Sequence, residues 1–309
     1  MCDIPKRGAA LLFPGVGVKL SGAELKVFRN HRSRFSPALE KASDYGKLDL
    51  ITAFTRDSLP PLNTLGRQLF TYAFSVGAAD VAGRYTRPGA AAGYSFGIYG
   101  ALVAARVITF EEGLFILDRA HGLMSRAVAG GDFGMGVVLG LTIDHLDEIL
   151  EREQLPLTVR TNTNHELCHI FSGPCLEIDR LLDSAEAGGA LKSQRLTVDI
   201  PYHHPGILGN AASTLRRLLE DIEWQSPLFP VISSIDGTAM HSPDIIQHFV
   251  ADHLATPIDW AQVCHTVHAM GIRYGIECGP GISLSQNARF LPFPLTMMNV
   301  KKALKCPLS

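Results

Sequence analysis

Apolar residues in this chain fall into short unbroken runs separated by longer stretches of helical periodicity, the pattern of buried strands alternating with helices. Ala9 to Phe13 is such a run. It leads directly into Pro14-Gly15-Val16-Gly17, a turn that leaves backbone N–H groups available at a strand's carboxyl end. Leu65 to Ala82 reads as a helix of small and apolar residues. Arg84 to Pro88 then turns the chain into a second short run, Ala90 to Ala92, with a small-residue helix from Ile98 to Arg106 beyond it. Thr109, with Glu112 three residues later, is a helix-start pairing in which the threonine caps and the glutamate reaches back, and that helix is expected to continue to Arg126.

Beyond Gly130-Gly131-Asp132 the rhythm shortens. Met135 to Leu141 reads as a strand, Asp144 to Glu153 as a helix, Leu157 to Asn162 and Cys168 to Ser172 as strands, Glu177 to Ala187 as a helix and Gln194 to Ile200 as a returning strand. A β-α-β-β-α-β order over about seventy residues is that of a ferredoxin-like unit. It is expected as an insertion at 127–198 that walls one side of a cleft. From Ile207 the longer helices resume, with a strand at Phe229 to Ser233, a helix from Pro243, and a last strand at Tyr274 to Glu277 that ends in Gly279-Pro280-Gly281.

Composition narrows the class more than it names it. At 309 residues, 46% hydrophobic and 19% charged, the chain can bury a large core. The formal net charge of −2 gives no reason to expect nucleic acid or a membrane surface as partner. No apolar run approaches the roughly 20 residues of a membrane span. Six cysteines without a C-x-x-C pair, and no leader pattern, point to reduced thiols in the cytoplasm. Cys168 and Cys175, with His165 and His169 close by, lack a second ligand pair at zinc-type spacing, so no metal site is expected.

The candidate chemistry is Gly93-Tyr94-Ser95-Phe96-Gly97, a G-x-S-x-G pentapeptide between a strand and a helix. A serine on such an elbow is pushed into an exposed, strained position, while the following helix aims its first N–H groups at negative charge forming there. Ser95 is the candidate nucleophile.

Four separated motifs resemble the malonyl-CoA:acyl-carrier-protein transacylase family and the acyltransferase domains of polyketide synthases. They are Phe13-Pro14-Gly15-Val16-Gly17 for F-P-G-Q-G, Gly93 to Gly97 for G-H-S-x-G, Pro201-Tyr202-His203-His204-Pro205 for P-[FS]-H-[SC]-P, and Gly279-Pro280-Gly281 for G-P-G. Asn162-x-Asn164 with Ser172-Gly173 resembles a further family segment. The resemblance implies an α/β fold, with an α/β-hydrolase-like subdomain made of 1–126 and 199–309 around the ferredoxin-like 127–198. It implies an acyltransferase in fatty-acid or polyketide synthesis that works through acyl-Ser95 and delivers to an acyl carrier protein. No tightly held cofactor is implied, only acyl-CoA or a phosphopantetheinyl thioester as substrate.

Further implications attach to single residues. The pattern H-x-P-x-[LM] places the general base at His203, with Pro205 and Ile207 in register, whereas an ungapped count places it at His204; the histidine left over is expected to be a partly exposed loop residue. The base is steered by a backbone carbonyl in His253 to Pro257, with His253 and Thr256 as the candidate residues. The oxyanion falls to backbone N–H groups of Phe96 and Val16. Tyr94, Arg119, Ala120, His121 and Asn162 are expected at the acyl pocket, and Ala120 stands where malonyl-type members carry a carboxylate-binding Arg. That departure favours an acyl group without a free carboxylate, with malonyl transfer and thioester hydrolysis as alternatives. An esterase using Ser95, Asp236 and His265 or His268 is a more distant one. A basic carrier-docking patch is expected from Arg195, Arg216 and Arg217.

Overall fold

The computed structural model describes residues 8–15, 22–52 and 62–303. Ala9–Phe13 forms β1, followed by α1 (Gly22–Asn30), α2 (Arg32–Gly46), α3 (Thr64–Ala82), β2 (Pro88–Gly93), a 3₁₀ turn (Ser95–Gly97), α4 (Ile98–Ala104) and α5 (Phe110–Ala127). Then come β3 (Phe133–Leu139), α6 (Ile143–Arg152), β4 (Val159–His165), β5 (Cys168–Pro174), α7 (Cys175–Ala187) and β6 (Lys192–Arg195). The remainder is α8 (Pro205–Leu218), β7 (Val231–Ile232), β8 (Ala239–Met240), α9 (Pro243–Asp252), β9 (Ile258–Asp259), α10 (Trp260–Ala269), β10 (Tyr274–Glu277), α11 (Ser283–Asn287), β11 (Thr296–Asn299) and α12 (Val300–Ala303).

The larger sheet has the order β11-β10-β1-β2-β7-β8 and is parallel except for β8. Its central strand β1 reads as an unbroken apolar run because both faces are covered. Leu11 and Phe13 pack with Leu69 and Tyr72 of α3, Leu102 of α4 and Leu117 of α5. Ala10 and Leu12 face the other way, onto Trp260 and Val263 of α10 and Leu284 of α11. Helix starts follow local chemistry: Asn63 caps α3 by accepting from Gly66 N at 2.7 Å, and Thr109 with Glu112 closes the reciprocal cap of α5.

The second sheet has the order β6-β3-β5-β4-β9. Its first four strands are antiparallel, and α6 and α7 cover one face through Leu146, Ile149, Ile178, Leu181 and Ala185 against Val138 and Phe171. That is the expected β-α-β-β-α-β unit. The fifth strand, β9, comes from far along the chain and pairs parallel with β4 at Asn162 and Thr163. The returning strand expected from Gln194 to Ile200 is shorter: after Leu196 N donates to Met135 O, the chain leaves the sheet, and residues 196–200 wall a cavity instead. The helix expected to reach Arg106 ends at Ala104, with Arg106 in the left-handed region at φ 59°.

Candidate active site

Gly93 ends β2, and Ser95 opens the 3₁₀ turn with φ at 51°. A left-handed conformation costs a residue with a side chain roughly 1–3 kcal/mol, so the surroundings must hold it. They do so by contact: a Cβ at Gly93 would lie 2.0 Å from Ile98 N, and one at Gly97 would lie 2.2 Å from Phe13 O. Only glycine lets strand, turn and helix close this tightly. Tyr94 N also donates to Phe13 O at 2.8 Å, tying the elbow to the end of β1.

His203 is the second strained residue. The chain turns at Pro201 to His204, closed by His204 N donating to Pro201 O at 3.2 Å, and His203 sits in that turn at φ 63°. The turn delivers its ring to the elbow. Ser95 Oγ lies 2.7 Å from His203 Nε2, and His203 Nδ1 lies 2.8 Å from the carbonyl oxygen of His253. A carbonyl can only accept, so Nδ1 carries the proton, and Nε2 is left bare to receive the hydrogen bond of the Ser95 hydroxyl.

Both imidazoles here are buried. Burial pushes His203 down to about 4, against the backbone carbonyls of His253 and Thr256, which favour its charged form. Burial also holds His253 well below the usual histidine range, with His203 adding in the same direction. The two rings meet edge to face at 5.0 Å between centroids. The pair is thus neutral at pH 7, as a proton acceptor must be.

A cavity of ≈ 470 Å³ opens onto this pair. Tyr94, Phe96, His121 and Asn162 line it, together with apolar Tyr99, Met124, Val128, Met135, Ile170 and Leu254. Asn162 Nδ2 donates to Tyr94 Oη at 3.0 Å, joining the small sheet to the residue before Ser95. Sequence reasoning missed part of the wall: Gln68 and Arg67 of α3, and Leu196 to Ile200. Gln68 is a polar residue flanked by the apolar Leu69 and Phe70 and is only 2% exposed. Arg67 is exposed and bends back to Leu62 O at 3.1 Å and Thr64 Oγ1 at 3.4 Å.

Several expectations are corrected. Ala120 does not line the cavity but is 1% exposed in the core, and Arg119 lies outside it, exposed over the Phe115 ring at 5.0 Å. His204 is not a partly exposed loop residue: it is 5% exposed and caps α8. Asp236 caps its own loop at Thr238 N, and His265 and His268 pack on Phe293, so none of them is brought to Ser95. Arg195 is paired with Asp179 and Arg216 with Asp252, which neutralises much of the expected basic patch; Arg217 reaches Thr214 Oγ1. Val16 lies outside the described residues.

No protein-family model matches the chain. It is similar to the malonyl CoA-acyl carrier protein transacylase of Staphylococcus aureus strain MW2, at 25% identity over 280 residues, covering 89% of this chain and 90% of that one. It is also similar to the polyketide biosynthesis protein ThaF of Burkholderia thailandensis, at 28% identity over 91% of this chain and 24% of that protein. Among solved structures, the acyl-carrier-protein S-malonyltransferase of Burkholderia pseudomallei superposes with a TM-score of 0.88, 25% identity and 97% and 98% coverage. A malonyl-transacylase in complex with a type II polyketide synthase acyl-carrier protein gives 0.86, 26% identity and 96% coverage of each chain. The likeness to these transacylases extends over nearly the whole chain.

Proposed function

We propose that this chain is an acyltransferase that carries an acyl group on Ser95 from a thioester donor to the phosphopantetheine thiol of an acyl carrier protein, in fatty-acid or polyketide synthesis. The observation that carries the reading is the relay from Ser95 Oγ to His203 Nε2 at 2.7 Å and from Nδ1 to the His253 carbonyl at 2.8 Å. In the forward step the hydroxyl proton passes to Nε2 as Oγ bonds to the thioester carbon. The oxyanion is met by the backbone N–H of Phe96. Collapse breaks the carbon–sulfur bond, and the leaving thiolate takes the proton back from Nε2. An incoming thiol repeats the sequence in reverse.

The acyl group we propose is uncharged. Position 120 offers no cation, Arg119 faces solvent, and the wall near His121, Met124, Val128 and Met135 is largely apolar. A carboxylate dried in such a pocket without a bidentate partner loses hydration for nothing. Malonyl transfer is the second reading, favoured by what the relatives named above act on. Its natural cation would be Arg67, the one arginine or lysine on the cavity wall among the described residues. Exposing the protein to malonyl-, acetyl- and butyryl-coenzyme A and weighing the intact acyl-enzyme separates the readings. Butyryl and acetyl adducts on Ser95, with malonyl poor, are expected. Efficient malonyl loading that is lost in Arg67→Ala assigns the carboxylate to Arg67. Steady thiol release without an acceptor identifies a hydrolase.

A further inference from the structure

The ring of His204 is committed on both sides. Its Nδ1 accepts from Ile207 N at 3.2 Å, closing the first turn of α8, and its Nε2 lies 2.9 Å from the carbonyl oxygen of Leu157. An N–H can only donate and a carbonyl can only accept, so the two contacts dictate one tautomer: bare Nδ1 and protonated Nε2. Serine, threonine, asparagine or aspartate suffices to cap a helix. A histidine here does something those shorter side chains cannot, because its far nitrogen reaches across to the segment that leads into β4.

That segment is itself held in place. Leu157 N and Thr158 Oγ1 both donate to Glu177 Oε2 of α7, at 3.1 and 3.0 Å. Gly173 of β5 lies so close that a Cβ there would sit 2.8 Å from Leu157 O. On the other flank of His203, Ser172 Oγ of β5 donates to Tyr202 O at 3.0 Å. The strained turn bearing His203 is therefore gripped through both neighbours, by β5 at Tyr202 and by the segment leading into β4 at His204.

We infer that His204 is a positioning residue for the base: through its bond to Leu157 it sets the angle at which His203 meets Ser95, and it is not a spare base. The inference rests on the reading of Ser95 and His203 as nucleophile and base. With Nδ1 holding the α8 cap and Nε2–H holding Leu157, His204 has no lone pair left for a substrate proton. What it supplies is the orientation of its neighbour, whose φ of 63° would otherwise relax.

The test separates capping from positioning. His204→Asn keeps a capping oxygen for Ile207 N and loses the reach to Leu157, whereas His204→Ala loses both. The probe is a fluorophosphonate, which labels an activated serine without requiring any particular acyl group or carrier. Its maximal labelling rate and its half-saturating concentration are measured separately, alongside thermal melting. The expected result is that His204→Asn melts close to wild type, yet labels Ser95 more slowly by on the order of ten- to a hundredfold at an unchanged half-saturating concentration. His204→Ala should label as slowly and melt lower. If His204→Asn labels at the wild-type rate, the Leu157 bond does not position the base and the inference fails. If both variants abolish labelling while His203→Ala retains it, His204 is the base, and the inference is overturned in the other direction. Failure of the wild type to label at Ser95 at all would strike the underlying reading of the site instead.

Discussion

Ser95 and His203 each occupy a backbone conformation that side chains avoid, and the protein keeps both because only there do Oγ and Nε2 come within 2.7 Å. Ser95→Ala should leave the fold intact and abolish the covalent adduct; an adduct of undiminished yield on that variant would remove the serine from the mechanism. His203→Ala should slow acylation by on the order of 10² to 10⁴, the scale of a lost general base. The burial of His203 adds a pH prediction. Its folded value, pushed down to about 4, lies below the ordinary histidine value of roughly 6.5. The imidazole therefore stays bare, and able to accept, well into acid. Acylation measured by quenched mass spectrometry should hold level from pH 7 to near pH 5 and fall only around 4. An acid limb centred near 6.5 would contradict it. Stability runs with the opposite emphasis: as pH falls below about 6.5 the unfolded chain takes up protons at positions 203 and 253 that the folded protein refuses. The contribution of these neutral rings is thus complete above that value and is lost progressively as pH falls towards the folded values.

At the scale of elements, the elbow is the most constrained feature. Gly97→Ala would drive a methyl group to 2.2 Å from Phe13 O, a backbone atom that cannot swing aside. Strand β1 and the turn must separate, at a cost on the order of 1–3 kcal/mol for overpacking. Melting should drop by several degrees and labelling of Ser95 should fall with it; an unchanged melting temperature would show that the elbow has slack. This element was legible in the sequence because its chemistry is local: glycines spaced around a serine, after a strand and before a helix. The capping pair Thr109 and Glu112 was legible for the same reason. The end of β6 was not. Nothing in Leu196 to Ile200 distinguishes a strand residue from one that must cross to the cavity, since its alternation of apolar and polar residues suits a sheet edge and a cavity wall alike. His204 was misread likewise, because its second partner, Leu157, is remote in sequence.

For the whole molecule, specificity depends on which residues the packing of α5 turns towards the cavity. Registration by motif put the deciding position at Ala120, but the helix buries that residue and presents His121 and Met124. An arginine at 120 would enter the core unpaired and should destabilise the fold rather than restore a carboxylate clamp. His121→Arg is the better probe. It should raise malonyl loading relative to butyryl loading by about ten- to a hundredfold, the worth of a charge-assisted pair of roughly 1.5 to 3 kcal/mol. A ratio that does not move would mean the acyl group never approaches this wall. The topology of the smaller sheet has a consequence for the architecture itself. Because β9 arrives from 258–259 to cover β4, residues 127–198 are encoded as a contiguous block but are not finished as one. Cut out and expressed alone, that block would present β4 as a bare edge where Asn162 and Thr163 now meet Ile258 and Asp259, and a bare edge seeks another strand. The excised piece should self-associate through this edge, the missing strand being replaced by a neighbour's.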